Sequence, residues 1–244
     1  MLFRSYEDIG ASARELIEKP RGIVRVGTPP SFGTHHLLPL VVGFTERFRE
    51  IRILLQLDDG SANLITQGLD LSLRIGPAPE DAGHIAVPLT KAPQVLVATE
   101  GYLRTHGVPK TPADLARHNC LVHALKSPTN IWRFSGAAGE ISVRVRGTLC
   151  ANFGDALKQA ALLGHGISMH PYYMVSDELK AKRLAVVLPD YEPLALDIYV
   201  VYPTREHLPV RTRRLLEFLK RWAKTPPDWA NPTSQKQLAR LGER

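Results

Sequence analysis

Apolar residues recur with two different periods in the first sixty residues of the chain. Residues 23–26 (IVRV) predict a short strand, and the two prolines that follow end it. Between residues 37 and 48 the apolar positions have the i, i+4, i+7, i+11 spacing of a buried helix face. Ser31 or Thr34 is the predicted cap of this helix. The pattern therefore predicts a strand, a loop and a helix.

Similar patterns continue along the chain. Alternation and short apolar runs predict strands over 51–57, 69–75, 85–89, 94–98, 120–124, 132–134, 141–145, 167–169 and 196–202. Helical spacing and capping signals predict helices over 1–19, 62–65, 153–163 and 209–222, and a short one starting at Thr111. Asn152 is the predicted cap of the helix over 153–163. Strands that alternate with helices favour a parallel sheet.

The strand, cap and helix pattern occurs twice, which predicts two α/β lobes that face each other. Residues 21–98 and 200–225 are predicted to form subdomain I, and residues 99–199 subdomain II. Residues 226–244 are rich in proline and polar side chains, so a disordered tail is expected there.

Composition limits the class of protein. Hydrophobic residues make up 44% and charged residues 23% of the 244 positions, as in ordinary globular proteins. No apolar run approaches a membrane span, and residues 1–19 lack the apolar core of a signal peptide, so a cytoplasmic location is expected. Cys120 and Cys150 have no metal or redox spacing and are expected to be buried thiols. The net charge of +7 is concentrated at residues 211–224, which favours a solvated helix face over a nucleic-acid surface.

Candidate chemistry points to binding rather than catalysis. The sequence contains no phosphate-binding loop, dinucleotide fingerprint, nucleophile elbow or zinc spacing, so no catalytic residue, metal or cofactor is predicted. Helix N-terminal amides, the hydroxyls of Ser31 and Thr34, the Asn152 amide and the Arg74 guanidinium suit a small anion such as a carboxylate. For Arg74, a structural ion pair is an equally good interpretation.

Six segments, in this order, resemble the effector-binding region of LysR-type transcriptional regulators and, within them, the CrgA-like subgroup. They are GIVRVGTPPSFGTHHLLPLVVGFTERF, QGLDLSLRIGP, LVATEGYL, TPADLARHNCL, ANFGDALKQAALLGHGISMHP and IYVVYPTREHLPVRTRRLLEFL. The resemblance covers residues 20–225. It implies an α/β fold like type 2 periplasmic binding proteins, with two Rossmann-like subdomains joined by crossovers near 98–99 and 198–199.

The resemblance also implies a function and the residues that perform it. We expect a domain that senses a small effector in the cleft between the lobes and controls transcription. Family members begin with a winged helix-turn-helix and a linker helix, so residues 1–20 are expected to be a linker remnant. The chain is then expected to reach DNA only through a winged helix-turn-helix that it does not contain. A solute-binding protein of a transport system is the alternative, and an enzyme on the same scaffold is less favoured.

By the same resemblance, the expected effector-binding residues are Ser31, Phe32, Thr34, Arg74, Ile75, Gly76, Thr99, Asn152, Phe153, Gly154, Asp155, His170 and Tyr202. The chain is further expected to form an antiparallel homodimer, or to pair with full-length relatives. The expected interface residues are His36, Leu37, Leu40, Val41, Phe44, Leu157, Ala160 and Ala161.

Overall fold

The structure is a computed structural model. It describes residues 20–58, 68–77, 83–124, 130–136, 139–204, 208–225 and 227–230. The helices predicted over 1–19 and 62–65 lie outside these residues, as does the predicted tail from 231 onward. The described chain divides into two compact units. Unit 1 contains the residues up to Arg74, residues 83–89 and Tyr199–Thr225; unit 2 contains 75–77, Thr90–Ile198 and 227–230.

The sheet of unit 1 has five strands in the order β2-β1-β3-β13-β4. Their bounds are β1 Gly22–Thr28, β2 Ile51–Leu57, β3 Leu71–Gly76, β4 His84–Ala92 and β13 Leu196–Pro203. β1 pairs in parallel with β2 on one side and with β3 on the other. The parallel pairing predicted from alternating strands and helices is therefore confirmed for these three strands.

The chain leaves β1 through a helical segment in three parts. A single turn, Pro30–Phe32, leads into a π-helix, Gly33–Leu37, and then into helix α1, Leu38–Arg47. In the π-helix the N–H of Leu38 donates to the carbonyl of Gly33, five residues earlier. The predicted helix is thus present, with a wider turn at its start.

The predicted cap of this segment is wrong. The N-cap position is Pro29, and no side chain caps the helix start. Thr34 Oγ1 instead donates to the carbonyl of Pro30 at 2.9 Å, one turn back. Proline fits the first helical position, because its fixed φ suits a helix and its missing N–H would have no partner within the helix.

Aromatic side chains fix α1 against the last helix of unit 1, α5 (Val210–Ala223). The rings of Phe44 and Phe218 have centroids 5.4 Å apart, and those of Phe32 and Trp222 are 6.4 Å apart. Phe32 and Phe44 are fully buried, so each contributes on the order of 2–3 kcal/mol of transfer free energy.

Unit 2 contains two sheets, with strand orders β11-β5-β10-β6-β9 and β12-β7-β8. Their strands are β5 Gln94–Ala98, β6 Cys120–His123, β7 Ile131–Gly136, β8 Gly139–Arg144, β9 Cys150–Ala151, β10 Ile167–Pro171, β11 Ala185–Val187 and β12 Glu192–Pro193. Its helices are α2 Glu100–His106, α3 Gly154–Leu162 and α4 Tyr172–Lys180, with a 3-10 turn at Pro112–Arg117. The register of β7 with β8 places Phe134 opposite Ile141, which confirms the predicted hairpin.

The predicted subdomain bounds stay a prediction. β5 pairs antiparallel with β10 and β11, and it lies in the Thr90–Ile198 part of unit 2. At the other end, Asp228–Ala230 forms a 3-10 turn whose Trp229 ring lies 5.2 Å from Tyr173 of α4. This part of the predicted tail is therefore ordered against unit 2.

Two further expectations need correction. Phe153, and not Asn152, is the N-cap residue of α3, and its side chain makes no capping hydrogen bond. Cys120 is buried as expected, but Cys150 is exposed because β9 lies at the edge of its sheet. In the described ranges, no helix has the length and apolar character needed to cross a membrane.

Candidate functional site

In unit 1, two predicted effector-binding segments lie at the same edge of the sheet, which is formed by the carboxyl ends of the parallel strands β1 and β3. β1 and β3 are parallel, with Gly27 paired with Ser72. Arg74 is two residues beyond that pair on β3, and Pro29 is two residues beyond it on β1. Because adjacent strands lie about 4.8 Å apart, Arg74, near the end of β3, lies beside the start of the loop that carries Ser31 and Thr34. Small ligands bind open α/β sheets at this end of the strands.

Gly33 allows the loop to approach this edge closely. A Cβ at Gly33 would lie 2.7 Å from Thr28 Cγ2 and 2.6 Å from Leu57 Cδ2, both closer than real Cβ contacts. The π-helix therefore starts in direct contact with the ends of β1 and β2. A π-turn is a rare feature, found frequently at functional sites.

The predicted binding residues of this loop differ in their accessibility. The side chain of Phe32 is fully buried, and the centroids of the Phe32 and His36 rings are 5.6 Å apart. Phe32 therefore anchors the loop. Ser31 is also buried, whereas Thr34 is exposed and its hydroxyl donates to the helix backbone. Arg74 is half-buried.

The remaining predicted residues of unit 1 and its sheet are on β3 and β13, which are neighbours in the sheet. Ile75 and Gly76 complete β3, and Gly76 has a φ of 143°, which disfavours other residue types. Tyr202 is a half-buried residue of β13. Arg74 belongs to unit 1 and Ile75 to unit 2, so the boundary between the two units falls within β3.

His36 is a neutral group in this segment at physiological pH. Burial, and then the neighbouring charge of His35, lower the pKa of the His36 imidazole to about 4. The described residues include no group of three or more metal-binding side chains. His36 is therefore a polar, uncharged part of the π-helix.

In unit 2, Thr99 connects β5 to α2. Its Oγ1 accepts a hydrogen bond from the N–H of Tyr102 at 3.2 Å and so caps α2. Gly164, just after α3, also approaches this hydroxyl, since a Cβ there would lie 3.3 Å from Thr99 Oγ1. Thr99 is thus held between the start of one helix and the end of another.

The first turn of α3 contains a charged pair that sequence reasoning missed. Asp155 Oδ1 lies 3.0 Å from Nζ of Lys158, whose side chain is only 11% exposed. A buried ammonium beside a helix N-terminus raises the local positive potential, and Asp155 balances part of it. The i, i+3 spacing of the two residues was the available sequence signal. Asn152 and Phe153 precede this turn and are exposed, whereas Gly154 is buried.

His170 lies on β10 and is buried. Its Nε2 is 2.7 Å from Oγ of Ser168, two residues earlier on the same face of the strand. Ile167 and Met169, on the opposite face, join the hydrophobic core of unit 2. The two polar side chains therefore form a hydrogen-bonded pair on the face of β10 opposite this core.

Comparison with known proteins identifies the family of this chain. A family model described as the LysR substrate binding domain matches residues 18–224. The chain belongs to the LysR family. It has the periplasmic-binding-protein-like type 2 fold and carries the effector-binding domain of a LysR-type transcriptional regulator.

Individual relatives of this LysR domain agree with that assignment. It is 34% identical over 212 residues to the HTH-type transcriptional regulator PtxR of Pseudomonas aeruginosa, a match covering 86% of this chain and 67% of PtxR. It is 30% identical over 222 residues to the transcriptional activator TtdR of Escherichia coli, covering 91% of this chain and 71% of TtdR. The alternative of a transport protein has no support among these relatives.

A solved structure gives the same result for this LysR domain. The regulatory domain of CrgA from Neisseria meningitidis superposes with a TM-score of 0.73 at 28% identity. The superposition covers 83% of this chain and 98% of the CrgA domain.

Burial limits which expected interface residues of this LysR domain could reach a partner. Six of the eight are buried within their own unit: Leu37, Val41, Phe44, Leu157, Ala160 and Ala161. They contribute to the core of their own unit, and their role at an interface stays a prediction. Only His36 and Leu40 remain half-accessible. The exposed apolar side chains on the same elements are Leu38 and Val42 of α1 and Leu163 after α3.

Proposed function

We propose that this domain binds a small carboxylate effector and that effector binding controls transcription. In unit 1 the proposed binding residues are Ser31, Phe32, Thr34, Arg74, Ile75, Gly76 and Tyr202. In unit 2 they are Thr99, Asn152, Phe153, Gly154, Asp155 and His170. The supporting observation is the parallel register of β1 and β3, which brings Arg74 to the sheet edge that carries the Ser31–Thr34 loop.

The chemistry of these residues favours an anion. A guanidinium binds a carboxylate through two parallel hydrogen bonds. The side chain of Arg74 places a guanidinium at this sheet edge. Lys158 adds a second cation at the start of α3. We propose that the residues act by binding alone, and that effector binding shifts the population of protein conformations. A cytoplasmic location is part of this proposal.

A thermal-shift screen of short-chain and aromatic carboxylates tests the proposal. A ligand at about 100 times its Kd stabilises the native state by about 2.7 kcal/mol, which gives a clear increase in Tm. Arg74→Ala should reduce or remove that increase, and Arg52→Ala, at an exposed arginine of β2, should retain it. An equal response in both variants would remove Arg74 from the effector site. Carboxylates recovered unchanged after incubation would agree with binding without turnover.

We also propose that the domain forms a homodimer through the exposed apolar side chains of α1 and the end of α3. Leu38 and Val42 are 45% and 50% exposed and lie four residues apart, on one face of the helix. Leu163 is 86% exposed. Val42→Glu should shift the molecular mass measured by light scattering from dimer to monomer. Leu54→Glu is the control, because Leu54 is 54% exposed but is on β2. A dimer that survives Val42→Glu would exclude this surface.

A further inference from the structure

Helix α5 carries a row of cations along its exposed face. Its buried face is formed by Thr212, Leu215, Leu216 and Leu219. The exposed face carries charged residues at successive turns: Arg213, Arg214, Glu217, Lys220, Arg221 and Lys224. Five cations and one carboxylate give this face a net charge of +4. We call these six residues the α5 row.

Most of the positive charge in this row is not neutralised by the residues that the structure describes. Arg214 and Glu217 form an ion pair at 3.3 Å, and an Arg213 N–H donates to the carbonyl of Leu208. Among the residues that the structure describes, Lys220, Arg221 and Lys224 have no carboxylate within ion-pair distance. The row is therefore available to an anionic partner.

Helix stability alone does not explain the row. The helix dipole favours cations in the last turn, which contains Lys220 and Arg221. The same dipole disfavours cations near the start of the helix, where Arg213 lies and where the first turn has no acidic residue. A row that continues from one end to the other is better explained by an extended anionic surface.

We infer that the α5 row binds the phosphate backbone of duplex DNA without reading its sequence. At about 1.5 Å per residue, the distance from Arg213 to Lys224 is about 16 Å, long enough to reach several phosphates of one strand. The inference goes beyond effector binding and uses the role of LysR regulators in transcription. The sequence alone instead favours the interpretation that these cations only keep a helix face in contact with water.

Fluorescence anisotropy of the full chain with a labelled duplex of mixed sequence tests the inference. Between about 20 and about 200 mM KCl, the logarithm of the association constant should fall against the logarithm of salt concentration with a slope of about −3 to −4. The variant R213Q/K220Q/R221Q/K224Q should lose most of the binding and of this slope. Exchanging Arg213 and Arg221 for lysine should preserve both, because the charge is kept.

The matched control removes four exposed cations from unit 2 instead, as K110Q/R144Q/R146Q/K182Q. It has the same net charge as the α5 variant and should bind the duplex like the parent chain. Equal losses in the two variants, or no binding at the lowest salt, would overturn the inference. Equal binding of poly-glutamate would overturn it in favour of an acidic protein surface. Arg74→Ala should bind the duplex like the parent chain. Failure of the effector proposal can therefore be distinguished from failure of the DNA proposal.

Discussion

The carboxylate of Asp155 lies 3.0 Å from the ammonium of Lys158 in the first turn of α3. The Lys158 side chain is 11% exposed and that of Asp155 is 25% exposed, so the lysine depends more on its partner. Removing one member of a buried pair leaves an uncompensated charge, whereas removing both does not. The pair therefore links the stability of unit 2 to the start of a helix proposed to bind the effector.

Asp155→Asn should lower the free energy of unfolding by about 1–3 kcal/mol, because Lys158 then remains buried without a carboxylate. Adding Lys158→Met in the same chain should recover part of this loss. Urea denaturation of the four chains of the double-mutant cycle measures the coupling. Asp197→Asn is the control, since the Lys91–Asp197 pair, at 3.1 Å, is exposed and should contribute less than about 1 kcal/mol. Additive effects at 155 and 158 would show that the pair is not coupled.

Gly33→Ala should destabilise unit 1 by about 1–3 kcal/mol. The added methyl group would lie 2.7 Å from Thr28 Cγ2 and 2.6 Å from Leu57 Cδ2, so the loop must move from the strand ends. Gly43→Ala in α1 is the matched control, because a Cβ there has no neighbour within 4 Å. It should stabilise the helix by about 0.5–1 kcal/mol. Equal changes in the urea midpoints of the two variants would contradict the close approach at Gly33.

Local sequence patterns were sufficient for most of the strands and helices, but not for the short strands β9, β11 and β12. The alternation of residues 51–57 predicted β2 with its observed bounds, and the apolar run of 94–98 did the same for β5. The partners of β5 could not be predicted in this way. They are β10 and β11, which are more than sixty residues away in the chain and therefore outside the reach of a local pattern.

Features that depend on tertiary packing were missed. The helical segment that leads into α1 starts at Pro30 without a capping side chain, and Gly33 fits closely against β1 and β2. Helix α4 begins directly after Pro171, a signal that predicted only the end of a strand. Periodicity also marks Leu37 and Phe44 as apolar without distinguishing their own core from a partner surface.

Thr99→Val should lower the free energy of unfolding by about 1 kcal/mol, because the Tyr102 N–H loses its capping acceptor. Thr99→Ser keeps the hydroxyl and should keep most of the stability. Thr105→Val, in the same helix, is the control, since the Thr105 hydroxyl only donates to the carbonyl of Gly101. If Thr99→Ser were as unstable as Thr99→Val in urea, methyl packing would outweigh the cap.

Stability should decrease as the pH falls from about 6.5 to about 4, in part because of His36. An unfolded histidine takes up a proton near pH 6.5, whereas burial and His35 lower the pKa of folded His36 to about 4. Between these values the unfolded state binds more protons, so this contribution is fully present above pH 6.5 and is lost as the pH falls through 4. The maximum slope is about 1.4 kcal/mol per pH unit.

Urea unfolding of the wild type and of His36→Gln across this pH range isolates that contribution. Other groups, such as Asp114, whose pKa is lowered to about 2 by hydrogen bonds from the backbone N–H groups of Thr111 and Lys110, titrate equally in both chains. The difference between the two stability curves should therefore shrink toward pH 4. His35→Gln should keep the pH dependence, because burial is the larger cause of the shift at His36. Parallel curves for wild type and His36→Gln would show that His36 titrates alike in the folded and unfolded states.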